Sequence, residues 1–165
     1  MTIEYDLMRL TAQTSGPNPK EPGGGQPEYS VEELRACAAE MPHVAWHCLL
    51  AKYHQDELSE RELLRLVQHW SLHEWFTNPE HQTKKIEAGQ LNRVNELAVL
   101  CYLLPRIPHA ENYSSRAAFS GCNHELWKRN FQSHFTFLMR ELEYNEHIGK
   151  RAYRERKYGR NQDVA

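Results

Sequence analysis

Two groups of residues have the types and spacing to do chemistry, and the first is histidine. The chain has ten histidines in 165 residues. His43 and His47 are four apart, as are His69 and His73. On a helix, that spacing puts both imidazoles of a pair on one face, which is half of a zinc site. Two such pairs on adjacent helices would complete a tetrahedral set, with Cys48 or Glu74 as a further ligand. The metalloprotease pattern HExxH is absent, because Val44 follows His43 and Trp70 follows His69. The competing expectation is that these histidines are interfacial, lying beside Trp46, Trp70 and Trp75. On balance no cofactor or metal is expected.

The second group lies in the C-terminal third. The segment Arg116-Ala117-Ala118-Phe119-Ser120-Gly121-Cys122-Asn123-His124-Glu125-Leu126-Trp127 has the spacing of two helices meeting at a tight turn. Ala117 is small enough for a second helix to cross closely. Gly121 tolerates the positive φ that such a turn needs. Trp127 supplies an apolar anchor, and Asn123 is an acceptable N-cap. Asn123, His124, Glu125, Lys128 and Arg129 would then lie on the exposed early part of the second helix, where a recognition helix meets base edges and phosphates. Arg116 would hold a phosphate from the first helix. A helical corner used only for packing needs many of the same residues. Ser120 and Asn130 also stand where apolar residues are usual.

Beyond the corner, six basic residues (Lys150, Arg151, Arg154, Arg156, Lys157 and Arg160) stand against one acid, Glu155, with tyrosines between them. From Ser114 onward there are ten Lys/Arg and six Asp/Glu; the first 113 residues hold ten against sixteen. A basic end on an acidic body suggests contact with a polyanion. Cations near a helix C-terminus also answer the helix dipole, which accounts for part of the same charge.

No Walker loop, G-x-S-x-G elbow or dinucleotide fingerprint is present. The pairs Glu32/Glu33, Glu60/Glu62 and Glu141/Glu143 fall on predicted caps or exposed faces. No enzymatic activity is expected. Cys37, Cys48, Cys101 and Cys122 form no CxxC pair, so free thiols rather than a disulfide framework are expected. No apolar run approaches the roughly 20 residues of a membrane span. The acidic start, Met1-Thr2-Ile3-Glu4-Tyr5-Asp6, is unlike a secretory signal. The expected place is the cytoplasm, with no membrane contact.

The elements that must position these groups are all helical. Residues 1–14 can form a short helix through Ile3, Leu7 and Leu10. Residues 15–29 form a linker rich in Pro and Gly. Residues 30–165 read as a single helical domain with a helix-turn-helix-like unit at 114–135 and the basic tail at 150–160. Ser30 with Glu33, and Ser59 with Glu62, match the capping box that opens a helix. Apolar spacing predicts helices through Leu34–Met41, Val44–Tyr53 and Leu63–Leu72, then one from about Glu80 to Leu104 that ends at Pro105 and Pro108. Gly89 weakens this last helix without breaking it. A short helix from Ser114 and a long one through Trp127, Phe131, Phe135, Leu138, Leu142 and Tyr144 complete the set. The expected fold is all-α: a compact helical bundle or array with a long terminal helix.

The stretch from Ser114 to Lys157 resembles the C-terminal part of phage late-gene regulators of the antiterminator Q type. The resemblance rests on Arg116, Ala117, Gly121, Trp127 and Arg129, followed by Leu138, Leu142 and the basic tail. It covers about a third of the chain. It implies a DNA-binding transcription regulator that acts near a promoter and contacts RNA polymerase, in the host cytoplasm if the chain is phage-encoded. Some members of that group carry a cysteine-rich zinc loop; this sequence has no CxxC pairs, so zinc is not carried over. Two alternatives come from the residues themselves. One is a helical adaptor or inhibitor that binds a protein partner through the Trp46/Trp70/Trp75 region or the tail. The other is a histidine-rich metal-binding protein.

Overall fold

Six helices organise the described residues, and their ends follow from local chemistry. The structure, a computed structural model, describes residues 29–87, 89–104 and 112–159. The expected helix at 1–14, nearly all of the linker, Pro105, Pro108 and Arg160 lie outside them. The helices are α1 (Val31–Cys37), α2 (His43–His54), α3 (Glu57–Thr77), α4 (Gln90–Leu103), α5 (Tyr113–Phe119) and α6 (Gln132–Gly159). No strand occurs among the described residues, so the fold is all-α.

The described residues group into two compact units: 64–140, here the corner unit, and 29–63 with 141–159, here the terminal unit. Helices α3 and α6 each contribute residues to both.

In the terminal unit, Ser30 caps α1 by accepting the Glu33 N–H at 3.2 Å. This is the N-cap half of the predicted capping box. The second predicted box is corrected. Helix α3 begins at Glu57, and Asp56 Oδ2 accepts the Ser59 N–H at 2.8 Å. Gln55, at φ 51°, ends α2 in the left-handed region. Two residues thus join α2 to α3, and Ser59 is released to face inward, where it is buried.

The core of this unit is Tyr29, Leu34, Cys37, Met41, Ala45, Leu49 and Tyr153, with Trp46, Leu50, Tyr53, Ile148 and Ala152 packed on it. At Gly149, α6 packs closely on α2. A Cβ there would lie 2.9 Å from Leu49 Cδ1 and 3.2 Å from Ala45 Cβ. Tyr144, assigned to the apolar set of the last helix, is exposed instead.

In the corner unit, α4 starts ten residues later than its apolar spacing suggested. Pro79–His81 forms one turn of 3₁₀-helix capped by Asn78, and residues 82–87 are irregular. Gly89 takes φ 87° as the N-cap of α4. A helix cannot run through that conformation. From there Leu91, Val94, Leu97, Ala98, Leu100 and Tyr102 are buried, together with Val67, Trp75, Ala117, Trp127, Phe131, Phe135 and Leu138.

The four cysteines are free, Cys37 and Cys48 buried and the others half-buried. Burial pushes the Cys101 thiol up to about 11 against the opposing pull of Arg116, which suits an inert thiol. No helix among the described residues is long and apolar enough to cross a membrane.

Candidate functional sites

The corner forms much as its residue types demand. Asn112 caps α5 by accepting the Ser115 N–H at 2.9 Å. The far end closes at Gly121, φ 72°, with Gly121 N–H donating to Ala118 O at 3.2 Å and Cys122 N–H to Ala117 O at 3.0 Å. That pair of bonds is a Schellman closure, and it satisfies two carbonyls that the helix end would leave open. Asn123 Oδ1 then accepts the Leu126 N–H at 2.8 Å and starts a one-turn helix, His124–Leu126. Ala117 and Trp127 are both buried at the crossing.

A five-residue π-helical turn, Trp127–Phe131, follows before α6 begins. Gln132 N–H donates to Trp127 O, one residue further back than in an α-helix. The wider turn lets Trp127, Asn130 and Phe131 all face inward while Lys128 and Arg129 remain exposed. Gln132 secures it, its Oε1 accepting Trp127 Nε1–H at 2.6 Å. Asn130, which sequence pattern marked as out of place, donates to Lys85 O at 3.3 Å and ties the irregular 82–87 segment to the corner. Ser120 is fully buried, and its hydroxyl has no hydrogen-bond partner among the described residues.

The predicted contact residues therefore divide. His124, Glu125, Lys128 and Arg129 are exposed. Asn123 is exposed too, but its carbonyl oxygen is committed to the cap. Arg116 is half-buried: its guanidinium lies 4.8 Å from the centre of the Phe135 ring and reaches Gln132 Oε1 at 3.4 Å. It already bridges α5 and α6. Beside it, Asn112, Tyr113, Ser114, Arg116 and His124 line an open cleft of about 430 Å³.

The tail residues have internal partners. Lys150 Nζ lies 2.7 Å from Glu146 Oε1, and Arg156 lies 2.6 Å from Glu40 Oε1. Arg151 pairs with Glu155 at 2.8 Å, and Lys157 with Glu33 at 3.7 Å. Arg154 is exposed. Glu146, itself buried, also accepts Lys52 Nζ at 2.8 Å and Tyr53 O–H at 2.9 Å. Burial alone would raise its pKa, but hydrogen bonds from Lys150, Lys52 and Tyr53 prevail and hold the carboxyl at about 2.

The two histidine pairs lie in different units. His43 and His47 do converge, Nε2 to Nε2 at 3.0 Å. Glu62 is the third residue that meets them. His69 and His73 are exposed on α3 within the corner unit. Of the tryptophans considered for a partner surface, Trp46 and Trp70 are half-buried. Trp75 is buried, stacked on His81 at 4.3 Å, while Trp46 packs against the core of the terminal unit.

Sequence reading passed over His134. It is buried on α6, with Nε2 2.7 Å from Ser71 Oγ and its ring edge-on to Trp75 at 5.2 Å. Its Nδ1 has no hydrogen-bond partner among the described residues. Burial, helped by His81 and Lys84, pushes its pKa down to about 3. The only sequence signal for it is a histidine at the spacing of Phe131, Phe135 and Leu138 on the inward face.

Neither a protein-family model, nor a curated protein, nor a solved structure matches this chain.

Proposed function

We propose that this protein binds double-stranded DNA through the corner and regulates transcription. One observation carries the reading: Lys128 and Arg129 stand side by side, exposed, on a turn whose other residues are buried. Neither forms an ion pair among the described residues. Two adjacent cations on a rigidly packed turn suit phosphate or guanine. His124 and Glu125, a turn earlier, flank them, and Glu125 is an acceptor suited to a cytosine amino group. Arg116 acts as a brace for the corner in this reading rather than as a phosphate ligand.

The finer assignment, a phage late-gene antiterminator acting on RNA polymerase, is supported by the sequence resemblance alone. The test is binding of the untagged chain to sheared and promoter-containing DNA across a salt series. Phosphate contacts release counterions, so affinity falls steeply as salt rises. Persistence on one promoter fragment is the expected mark of a regulator. Absence of binding at low salt would leave the corner as a packing device.

A protein-binding role keeps one observation in its favour. Leu72 and Phe76, one helical turn apart on α3, are 50 % and 74 % exposed. Exposed apolar residues at that spacing suit the edge of a partner helix. Capture of a protein that survives nuclease treatment, and is lost on Phe76→Ser, would favour this reading.

A further inference from the structure

The terminal unit holds a three-residue constellation that DNA binding does not use. His43 and His47 lie one turn apart on α2, and Glu62 comes from the first turns of α3. One ligand atom from each lies within 4.8 Å of the others. The two imidazole rings are perpendicular, with centroids 4.3 Å apart and their Nε2 atoms 3.0 Å apart. Two nitrogens bound to one tetrahedral zinc ion at about 2.0 Å are about 3.3 Å apart. The pair is thus within a few tenths of an ångström of a shared-ion geometry.

His47 is also oriented from behind. Its Nδ1 lies 2.9 Å from the hydroxyl of Ser59, which is buried. Carrying the proton on Nδ1 and donating it to Ser59 leaves the Nε2 lone pair facing His43. A ligating histidine commonly has such an outer partner, which sets its tautomer. The short link Gln55-Asp56 between α2 and α3 brings Ser59 and Glu62 alongside the histidines.

We propose that His43, His47 and Glu62 form a binding site for a divalent transition-metal ion, zinc being the chemically best suited. Two imidazoles and one carboxylate make a three-ligand set, and the exposure of His43 leaves the fourth position to water. The ion would join α2 to α3 and offer one exchangeable coordination position at the surface of the terminal unit.

The test is zinc binding by the full-length, untagged chain, measured by calorimetry and by elemental analysis after desalting. Cobalt substitution reads the coordination number through the intensity of its visible bands. The expected result is one ion per chain, with the strong visible bands of four-coordinate cobalt. His43→Ala is the safest variant for the fold, because His43 is exposed, and it should weaken zinc binding at least about a hundredfold. Glu62→Gln should weaken it at least about tenfold, and Ser59→Ala about tenfold through loss of orientation. Failure of the wild-type chain to take up zinc stoichiometrically, or equal binding by wild type and His43→Ala, would overturn the proposal.

Discussion

In the terminal unit Lys52, Lys150, Arg156 and Lys157 each meet a carboxylate of the same unit, whereas in the corner unit Lys128 and Arg129 face solvent from a packed turn. The two stretches look alike in a charge count, and the tail even carries more cations. What separates them is the presence of carboxylate partners, some near in sequence and some far. Glu33 and Glu40 lie more than a hundred residues before Lys157 and Arg156, the cations they meet. Net charge over a window is therefore poor evidence of a binding surface. A cation without an internal partner, on a framework that cannot yield, is better evidence.

The largest expected effect breaks the framework. Trp127→Ala empties a fully buried site at the crossing of α5 and the turn. It should cost about 3–5 kcal/mol, measured by denaturant unfolding. A loss below about 1 kcal/mol would mean the corner is not a packed scaffold.

Next is the charge centre of the terminal unit. Glu146→Ala leaves Lys52, Lys150 and Tyr53 without their shared acceptor and should cost about 3 kcal/mol near neutral pH. The sign with pH follows from its lowered pKa. The unfolded carboxyl titrates near 4.5 and the folded one at about 2, so the stabilisation is complete above 4.5 and is lost as pH falls towards 2. In the variant that acid-dependent part of the unfolding curve should vanish.

The corner unit has its own acid window, set higher. His134 is neutral in the fold, with a folded pKa of about 3 against 6.5 unfolded. Its depressed value means that stability is full above 6.5 and falls as pH drops towards 3, at no more than about 1.4 kcal/mol per pH unit. Chemical denaturation at pH 6.5 and pH 5 should differ by up to about 2 kcal/mol from this group. His134→Gln should flatten that difference while Glu146→Ala leaves it in place.

The smallest effect concerns an exposed pair. Arg151→Ala removes a surface contact to Glu155, four residues along α6. It should change stability by less than about 0.5 kcal/mol. A larger change would mean the outer tail carries more of the fold than its exposure indicates.

Legibility in the sequence followed the range of the interaction. The all-α class, the Ser30 cap of α1 and the corner of Ala117, Gly121, Asn123 and Trp127 all rest on residues within a dozen positions of one another. Each is a statement about helix spacing or a cap, which sequence carries directly. The start of α4 at Gly89 was within reach, but a glycine's sign of φ is decided by surroundings that spacing does not reveal. Asp56 displaced Ser59 as a cap because either residue can serve, and burial of Ser59 beside His47 decided between them. The π-helical turn and the pairing of Glu62 with His43 and His47 depend on packing beyond the local helix, whereas the inward place of His134 is marked only by its spacing with Phe131, Phe135 and Leu138. No local pattern encodes the turn or the pairing.

The most direct measurement compares the two basic regions on one DNA duplex. Fluorescence anisotropy would follow binding of the wild-type chain, Lys128→Ala/Arg129→Ala and Arg151→Ala/Arg154→Ala, with circular dichroism checking helix content. The corner variant should lose about a hundredfold in affinity and about two units of salt slope, and the tail variant less than about threefold. The reverse order, or equal losses in both folded variants, would contradict the assignment of DNA contact to the corner.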